Sequence, residues 1–272
     1  MTDAHCHVAR GEECSFVCLP PDAEVPSESA NAFFFGVHPW ECLECDVMNG
    51  RDARSPSVAS PLASGGFAAA LSALRARLES NPLAGVGEIG LDRIKSKTIP
   101  ELMRGMFAAQ LELAAEFGRP VVLHGAKCWG EVVKACEPHA GKIPSFLFHG
   151  FSRSEGLLPD IFRLNGFISI GPALLNDHAV NYRDLAKRIP TDRILVESDA
   201  TAENAAEVPS AESVAEFLAD LRGVPRAEFS ALLDANASRF LHFASELASM
   251  EQHARPTDRA PGAVNAQRHK IS

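Results

Sequence analysis

Short apolar runs of strand length recur along the chain, and stretches with helical spacing separate them. The runs are nearly continuous rather than alternating, a pattern typical of strands that are buried on both faces of a parallel sheet. The predicted strands cover residues 5–8, 15–19, 32–37, 83–89, 120–123, 145–148, 167–170 and 194–196. Strands and helices in alternation predict right-handed βαβ units, and eight such units close an α/β fold, the (β/α)8 TIM barrel.

Apolar residues at helical spacing predict the helices between these strands. Phe67, Leu71 and Leu78 share one helical face, and a second helix over residues 103–117 stops before Gly118. Further predicted helices cover residues 130–137, 154–164, 178–188, 211–222 and 226–248. The chain between residues 8 and 33 contains three prolines and leaves no room for a full helix, so the first βα unit is expected to be shortened.

One domain is expected over residues 1–248, because a chain of 272 residues fits one barrel better than two small domains. Residues 49–66 are small, polar and interrupted by prolines, which predicts a flexible insertion within that domain. Residues 249–272 are expected to form a disordered tail.

The composition is that of a globular protein, with 46% hydrophobic and 22% charged residues. The formal net charge of −9 argues against a broad basic surface that could neutralise many phosphates at once, as tight duplex binding requires. Local positive loops are compatible with this charge. No apolar run approaches the roughly 18 residues of a membrane span, and no apolar signal region precedes Asp3. We therefore expect a cytoplasmic protein without membrane contacts and without an obligate protein partner.

Seven cysteines are scattered through the chain, and their odd number suits reduced thiols better than a disulfide framework. Cys42 and Cys45 form one CxxC motif, which has no second pair to complete a zinc site. We interpret these cysteines as structural thiols.

Side chains that commonly bind metals follow the apolar runs at five places. His5 and His7 lie two residues apart, a spacing that points both imidazoles to one side of a strand. The six candidate ligands are His5, His7, Glu88, His124, His149 and Asp199. Because the carboxyl ends of barrel strands meet at one mouth, we expect these residues to lie together.

One histidine after an apolar run is more often a hydrogen-bonded structural residue than a metal ligand. Six imidazole and carboxylate groups crowded together are instead costly without a cation. They are too many for one tetrahedral zinc and suit two divalent ions with a bridging carboxylate, which predicts metal-assisted hydrolysis. Zinc, manganese and magnesium all stay open, although imidazole ligands favour the first two.

Several motifs, taken in order, resemble the signature blocks of the TatD-type metal-dependent hydrolases. They are HxH at residues 5–7, GVHP at 36–39, GEIGLD at 87–92, LH at 123–124, HGFS at 149–152 and ESDA at 197–200. The resemblance covers about residues 3–245. It implies a barrel of the amidohydrolase-like group, a two-metal site and deoxyribonuclease or phosphodiesterase activity. Residues 236–241 are similar to the closing helix of that family, which packs against the barrel.

The resemblance also implies roles for the six candidate ligands. One ion would be held by His5, His7 and Asp199, the other by His124 and His149, with Glu88 bridging both. A water activated by the two ions would attack phosphorus, and Asp199 would orient or deprotonate it. Glu88 and Asp199 are therefore the predicted catalytic residues. His38 resembles the family's inner histidine, and we favour a role behind the ligands or at the phosphate over a purely structural one.

The chain departs from the family pattern after the fifth predicted strand, where Gly125 and Ala126 replace the usual serine and arginine. An expected cationic contact to phosphate is therefore missing, and Lys127 is the candidate replacement. Arg153 stands where the family has a small residue and is a second candidate for substrate binding. The competing interpretation of both side chains is a solvated loop charge.

The expected activity is that of a divalent-metal phosphodiesterase that cuts single-stranded or frayed DNA ends. One alternative is a hydrolase of a small amide, ester or lactone on the same barrel, since the same ions polarise a carbonyl group. Another is a metal-binding scaffold that has lost turnover. The shortened first unit favours the scaffold, and the six intact ligands oppose it.

Overall fold

Eight parallel strands form one sheet in which neighbours in the chain are also neighbours in space. The strands are β1 Asp3–Cys6, β2 Ser15–Leu19, β3 Ala32–Phe35, β4 Gly85–Asp92, β5 Val121–Ala126, β6 Phe146–Phe148, β7 Gly166–Ile170 and β8 Ile194–Val196. Our computed structural model describes residues 1–10, 14–25, 31–43, 61–95, 97–152 and 154–254. All pairs of adjacent strands are parallel, which confirms the predicted (β/α)8 barrel.

Hydrogen bonds just beyond the end of β8 join the last strand to the first. The amide of Asp199 donates to the carbonyl of His5 (3.1 Å), and the amide of His7 donates to the carbonyl of Ala200 (2.8 Å). The barrel is therefore nearly closed, and this seam lies at the carboxyl ends of the strands. Residues that flank the first and the last strand meet there.

Asp3, the first residue of β1, adds a side-chain bridge across the same seam. Its buried carboxylate accepts hydrogen bonds from the amide (2.9 Å) and the hydroxyl (2.5 Å) of Ser198. Burial raises the pKa of the Asp3 carboxyl, although the two hydrogen bonds act in the opposite direction. Backbone and side chains together hold the two edges of the sheet in register.

Helices connect the strands from β3 onward. The α-helices are α1 Pro61–Ser80, α2 Glu101–Phe117, α3 Trp129–Cys136, α4 Leu158–Arg163, α5 Val180–Arg188, α6 Ala211–Arg222 and α7 Arg226–Ala254. Helix α2 ends at Gly118, which takes the left-handed conformation that favours glycine (φ +60°). Helix α6 begins after Ser210, whose hydroxyl accepts a hydrogen bond from the amide of Ser213 (3.2 Å). Within the described ranges, none of the helices combines the length and apolarity that a membrane crossing requires.

The first βα unit of the barrel is shortened, as predicted. In the described residues between β1 and β3, no helix links the strands. The strand bounds differ from those predicted, since β1 spans 3–6 instead of 5–8, β4 runs on to Asp92 and β5 runs on to Ala126. The apolar runs miss these ends because glycines and the polar residues Asp92 and His124 interrupt them at the barrel mouth, where the side chains of Asp92 and His124 are in contact.

Two helices occupy residues for which the sequence predicts disorder or flexibility. Helix α1 begins at Pro61, inside the insertion expected over residues 49–66, and proline is well suited to the first position of a helix. Gly66 interrupts α1 with non-helical dihedral angles (φ +72°, ψ −172°). Helix α7 continues to Ala254, beyond its predicted end at 248 and into the expected tail. Residues 44–60, which include Cys45, and residues 255–272 lie outside the described part of the chain.

An aromatic cluster fills the barrel interior near the amino ends of the strands. Phe240 of α7 packs against Phe16, Phe34 and Phe167, with ring centroids 5.5, 5.9 and 5.7 Å away, respectively. The hydroxyl of Ser145, just before β6, donates to the carbonyl of Phe240 (2.8 Å). Helix α7 therefore closes the amino end of the barrel, and the carboxyl end is left as its mouth.

Truncation of Phe240 tests this closure. We expect Phe240→Ala to lower the free energy of unfolding by about 3–5 kcal/mol, because it removes a fully buried ring and leaves a cavity among three others. Chemical denaturation followed by circular dichroism measures the change. Leu83→Ala is the control, since Leu83 is 60% exposed and its truncation should change stability little. Equal losses in the two variants would contradict the packing role of Phe240.

Candidate metal centre

Glu88 lies at the middle of β4 and not at its end, which corrects the sequence-based expectation. The pairing register between β4 and β5 shifts between Val86 and Ile89, around this residue. A Cβ atom at Gly87 would lie 2.7 Å from the Cβ of Val122, so the close approach of the two strands requires glycine there. The local irregularity leaves the Glu88 carboxylate buried but inside the mouth of the barrel.

Histidines from four strand ends surround the Glu88 carboxylate. The Oε1 atom lies 2.6 Å from His124 Nδ1, 2.6 Å from His149 Nε2 and 3.5 Å from His38 Nε2. The Oε2 atom lies 3.1 Å from His7 Nε2 and 3.4 Å from His5 Nε2. One carboxylate therefore contacts five imidazoles.

Asp199 completes the cluster from the loop after β8. Its Oδ1 atom lies 3.5 Å from His5 Nε2, and half of its side chain is exposed to the mouth (51%). The backbone at Asp199 has a positive φ (+53°), which is uncommon for a residue other than glycine and is typical of functional sites.

The structure brings all six predicted ligands together and adds His38. Three groups have ligand atoms within 4.8 Å of one another: His5 with His7 and Asp199, His5 with Glu88 and His149, and His38 with Glu88 and His124. Of the other predicted substrate-binding residues, Lys127 is exposed beside the cluster, and Arg153 lies outside the described residues.

The charges in this cluster depend on one another. Burial acts to raise the pKa of Glu88, but the surrounding histidines outweigh it and hold the pKa well below its usual range. Burial and the neighbouring His5 act to lower the pKa of His149, but Glu88 and Glu197 raise it to about 9. A buried carboxylate among imidazoles thus requires positive charge beside it, either as protons on the histidines or as divalent cations.

The residues present fit a divalent metal ion. His5 Nε2 is fully buried, faces the two carboxylates and has no hydrogen-bond partner among the described residues. The other nitrogen of this ring, Nδ1, lies 3.5 Å from Cys18 Sγ, so the ring is held from behind. Imidazole nitrogens combined with carboxylate oxygens are ligands typical of zinc and of manganese.

Two acidic residues behind the ligands were not singled out from the sequence. Asp92 Oδ2 lies 3.1 Å from His124 Nε2, and the Glu197 carboxylate lies 3.7 Å from His149 Nδ1. Both are buried, and the hydroxyl of Ser169 donates a short hydrogen bond to Glu197. The spacing of Asp92, four residues after Glu88 on one strand, was an available signal, because such residues share a face. These carboxylates are placed to orient the imidazoles.

Two cavities open at the mouth and meet beside Asp199. The larger, of about 1080 Å³, is lined in part by Arg93 and Lys127, and the smaller, of about 530 Å³, by Tyr182 and Asn204. Lys127 has a positive φ (+57°), a second uncommon backbone conformation at this mouth. The cluster therefore has room for a substrate on either side.

The fold and the cluster together define a (β/α)8 barrel with a metal-type ligand set at its mouth. Residues 23–242 match the family described as TatD related DNase. The chain belongs to that family.

Several curated proteins are similar in sequence to part of this chain. A protein of Enterobacter lignolyticus named 3'-5' ssDNA/RNA exonuclease TatD is 30% identical over 128 residues, 47% of this chain and 49% of the relative. The uncharacterized metal-dependent hydrolase YabD of Bacillus subtilis is 26% identical over 161 residues, 57% of this chain and 63% of the relative. The matches thus span between about half and two thirds of these relatives.

Solved structures share the fold. YJJV, a TatD homologue from Escherichia coli K12, superposes with a TM-score of 0.67 at 20% identity, over 88% of this chain and 96% of that chain. A hydrolase of the TatD family from Entamoeba histolytica gives a TM-score of 0.59 at 13% identity, over 78% of this chain and 75% of that chain.

A conservative change at Glu197 tests the support of the ligands. We expect Glu197→Gln to bind Zn²⁺ about 10- to 100-fold more weakly, since it removes the negative charge that orients and polarises His149. Competition with a chromophoric chelator measures the affinity, and thermal unfolding of the metal-free protein checks the fold. Glu203→Gln, an exposed residue of the loop after β8, is the matched control. Unchanged zinc affinity in a folded Glu197→Gln variant would refute the role.

Proposed function

We propose that this protein is a metal-dependent phosphodiesterase that removes nucleotides from single-stranded nucleic acid ends with two divalent ions. The observation that carries the proposal is the open cluster of five imidazoles and two carboxylates around Glu88. Membership of the TatD related DNase family supports it.

The ligand groups suggest how two ions would be held. His5, His7 and Asp199, whose ligand atoms form one group, would hold one ion, and His124 Nδ1 and His149 Nε2, which lie 3.3 Å apart, would hold the other. Glu88 faces both sets, with Oε2 towards His7 and Oε1 towards His124. When bound, divalent ions stabilise negative charge on a phosphoryl group and increase the acidity of water. Glu88 contributes by keeping the ligand atoms together, because its charge attracts imidazoles from four different strand ends.

Asp199 is the best-placed proton acceptor. Its side chain is half exposed where the two cavities meet, whereas Glu88 is almost completely buried. Burial acts to raise the pKa of Asp199, but His5 and His149 outweigh this and lower it, so the carboxylate is ionised at neutral pH. An ionised carboxylate at this position can orient the attacking water and accept its proton.

Two further groups are available for the phosphate. Lys127 is exposed in the larger cavity beside His124, and its charge would favour a phosphate that approaches the cluster. His38 lies at the edge of the cluster, 3.5 Å from Glu88, and its side chain is partly exposed (20%). We propose both as substrate-binding residues. Arg153 remains a candidate from the sequence alone.

The net charge of the protein and the names of its relatives support a single-stranded substrate. The net charge of −9 opposes binding over a long duplex, while a strand end requires only a local contact. The curated relatives include proteins named 3'-5' ssDNA/RNA exonuclease TatD. We also propose a cytoplasmic location, which the odd number of scattered cysteines in the sequence supports.

Cleavage assays with matched variants test the proposal. We expect the metal-loaded protein to shorten an end-labelled single-stranded oligonucleotide, and Asp199→Asn to lower kcat by about 10²–10⁴-fold because the proton acceptor is lost. His124→Ala should lose both activity and bound metal. Asp22→Asn, at an exposed site outside the cluster, should behave as wild type. Cleavage that persists in both cluster variants, or turnover of carbonyl esters and lactones in place of phosphodiesters, would overturn the proposal.

The phosphate contact of Lys127 has its own test. Lys127→Gln removes the charge and keeps a polar side chain, so we expect KM for the oligonucleotide to rise about tenfold, with kcat nearly unchanged. The difference from wild type should shrink as salt is added. Lys142→Gln, an exposed lysine on the loop before β6, is the control. Equal KM values in the two variants at low salt would exclude the contact.

A further inference from the structure

Trp40 is a large aromatic residue whose side chain is exposed at the barrel mouth. It follows β3 at the barrel mouth, and 41% of its surface is accessible. Among the described residues, the exposed large apolar side chains are Trp40, Leu83, Ile94 and Val180. Trp40 and Ile94 follow β3 and β4, respectively, and Val180, at the start of α5, lines the smaller cavity at the mouth. Exposed apolar groups concentrated at one mouth mark a binding surface.

The indole of Trp40 is held in one orientation. Its Nε1 donates a hydrogen bond to Asp92 Oδ2 (2.6 Å), and its backbone amide donates to His38 Nδ1 (3.2 Å). The rings of His38 and His124 stand edge-on to it, with centroids 4.9 and 6.2 Å away. A rigid aromatic surface next to the cluster can bind a planar group with little loss of conformational entropy.

Lys95 lies over the same ring. Its Nζ atom is 3.5 Å from the centroid of the Trp40 ring. The other oxygen of Asp92, Oδ1, accepts hydrogen bonds from the amides of Ile94 (2.6 Å) and Lys95 (3.2 Å), which curls this loop towards Trp40. An exposed cation–π contact is weaker than the stacking of a base on an aromatic ring. A nucleobase can therefore displace the lysine side chain.

We propose that Trp40 and Lys95 form a nucleobase shelf, on which an unpaired base stacks against the indole while the ammonium group contacts the adjoining phosphate. This inference rests on the proposed function and specifies its substrate. The short distance from Trp40 to His124 places the base in a nucleotide next to the reacting phosphate. Bases of an intact duplex are already stacked and paired, so the shelf selects single strands or frayed ends.

Tryptophan fluorescence provides a readout that is independent of turnover. With a chelator present, so that DNA is not cut, we expect a short oligothymidylate to quench the emission of the wild-type protein. Trp40→Leu should show no quenching and should bind a labelled oligonucleotide about tenfold more weakly by anisotropy. Trp129, the second tryptophan, is buried, and its emission is what remains in Trp40→Leu. Leu83→Ala, exposed at the opposite end of the barrel, should leave both signals unchanged.

An abasic oligonucleotide separates stacking from structural support. Removing one base near the cleaved end should weaken binding of the oligonucleotide to the wild type about tenfold. It should not weaken binding to Trp40→Leu further, because the missing base and the missing indole remove the same contact. Trp40→Phe keeps a stacking ring but loses the hydrogen bond to Asp92. It should retain most of the affinity for DNA.

Zinc affinity, fluorescence and cleavage together distinguish a binding role of Trp40 from a structural one. Weaker zinc binding in both Trp40 variants together with unchanged binding of DNA would show that Trp40 only supports Asp92, and would overturn the shelf. Unquenched emission with continued cleavage of single strands by the metal-loaded wild type would also overturn the shelf and leave the proposed function intact. A complete lack of cleavage of nucleic acids would overturn the proposed function itself.

Discussion

The attraction between one buried carboxylate and the imidazoles around it is the interaction on which this barrel mouth depends. Glu88 carries its charge in the protein interior, where an unpaired carboxylate is strongly disfavoured. Histidines from four strand ends compensate it, so the ends of these strands must meet at fixed positions. The mutual repulsion of protonated imidazoles is removed when divalent cations take the place of protons. The same arrangement that is costly for folding is therefore favourable for binding metal.

The barrel separates the part that provides stability from the part that provides chemistry. Phenylalanine rings from β2, β3, β7 and α7 fill the amino end. Polar and exposed groups gather at the carboxyl end, where the loops after the strands hold them. Asp92 connects the cluster to the exposed tryptophan at the mouth, since its carboxylate contacts both His124 and Trp40. The proposed metal ligand and the proposed substrate contact are thereby linked through a single side chain.

Much of the fold could be predicted from the sequence, because strands that are buried on both faces of a sheet leave continuous apolar runs. Strands β2 and β8 and helix α6 lie at their predicted bounds, and the six candidate ligands come together as the topology requires. The ends of β4 and β5 were missed because glycines and single polar residues interrupt the apolar runs there, and apolarity is the signal that indicates a buried strand in a sequence. The contact of Trp40 with Asp92 spans 52 positions and depends on the curl of a loop, which no local pattern encodes.

The seam between β1 and β8 has a consequence for biosynthesis. His5 leaves the ribosome 194 residues ahead of its hydrogen-bonding partner Asp199. An unfinished chain thus presents histidines without the carboxylate that completes their group. Until β8 has emerged, the nascent chain exposes an open sheet edge, and a metal site that includes Asp199 cannot be complete before that point.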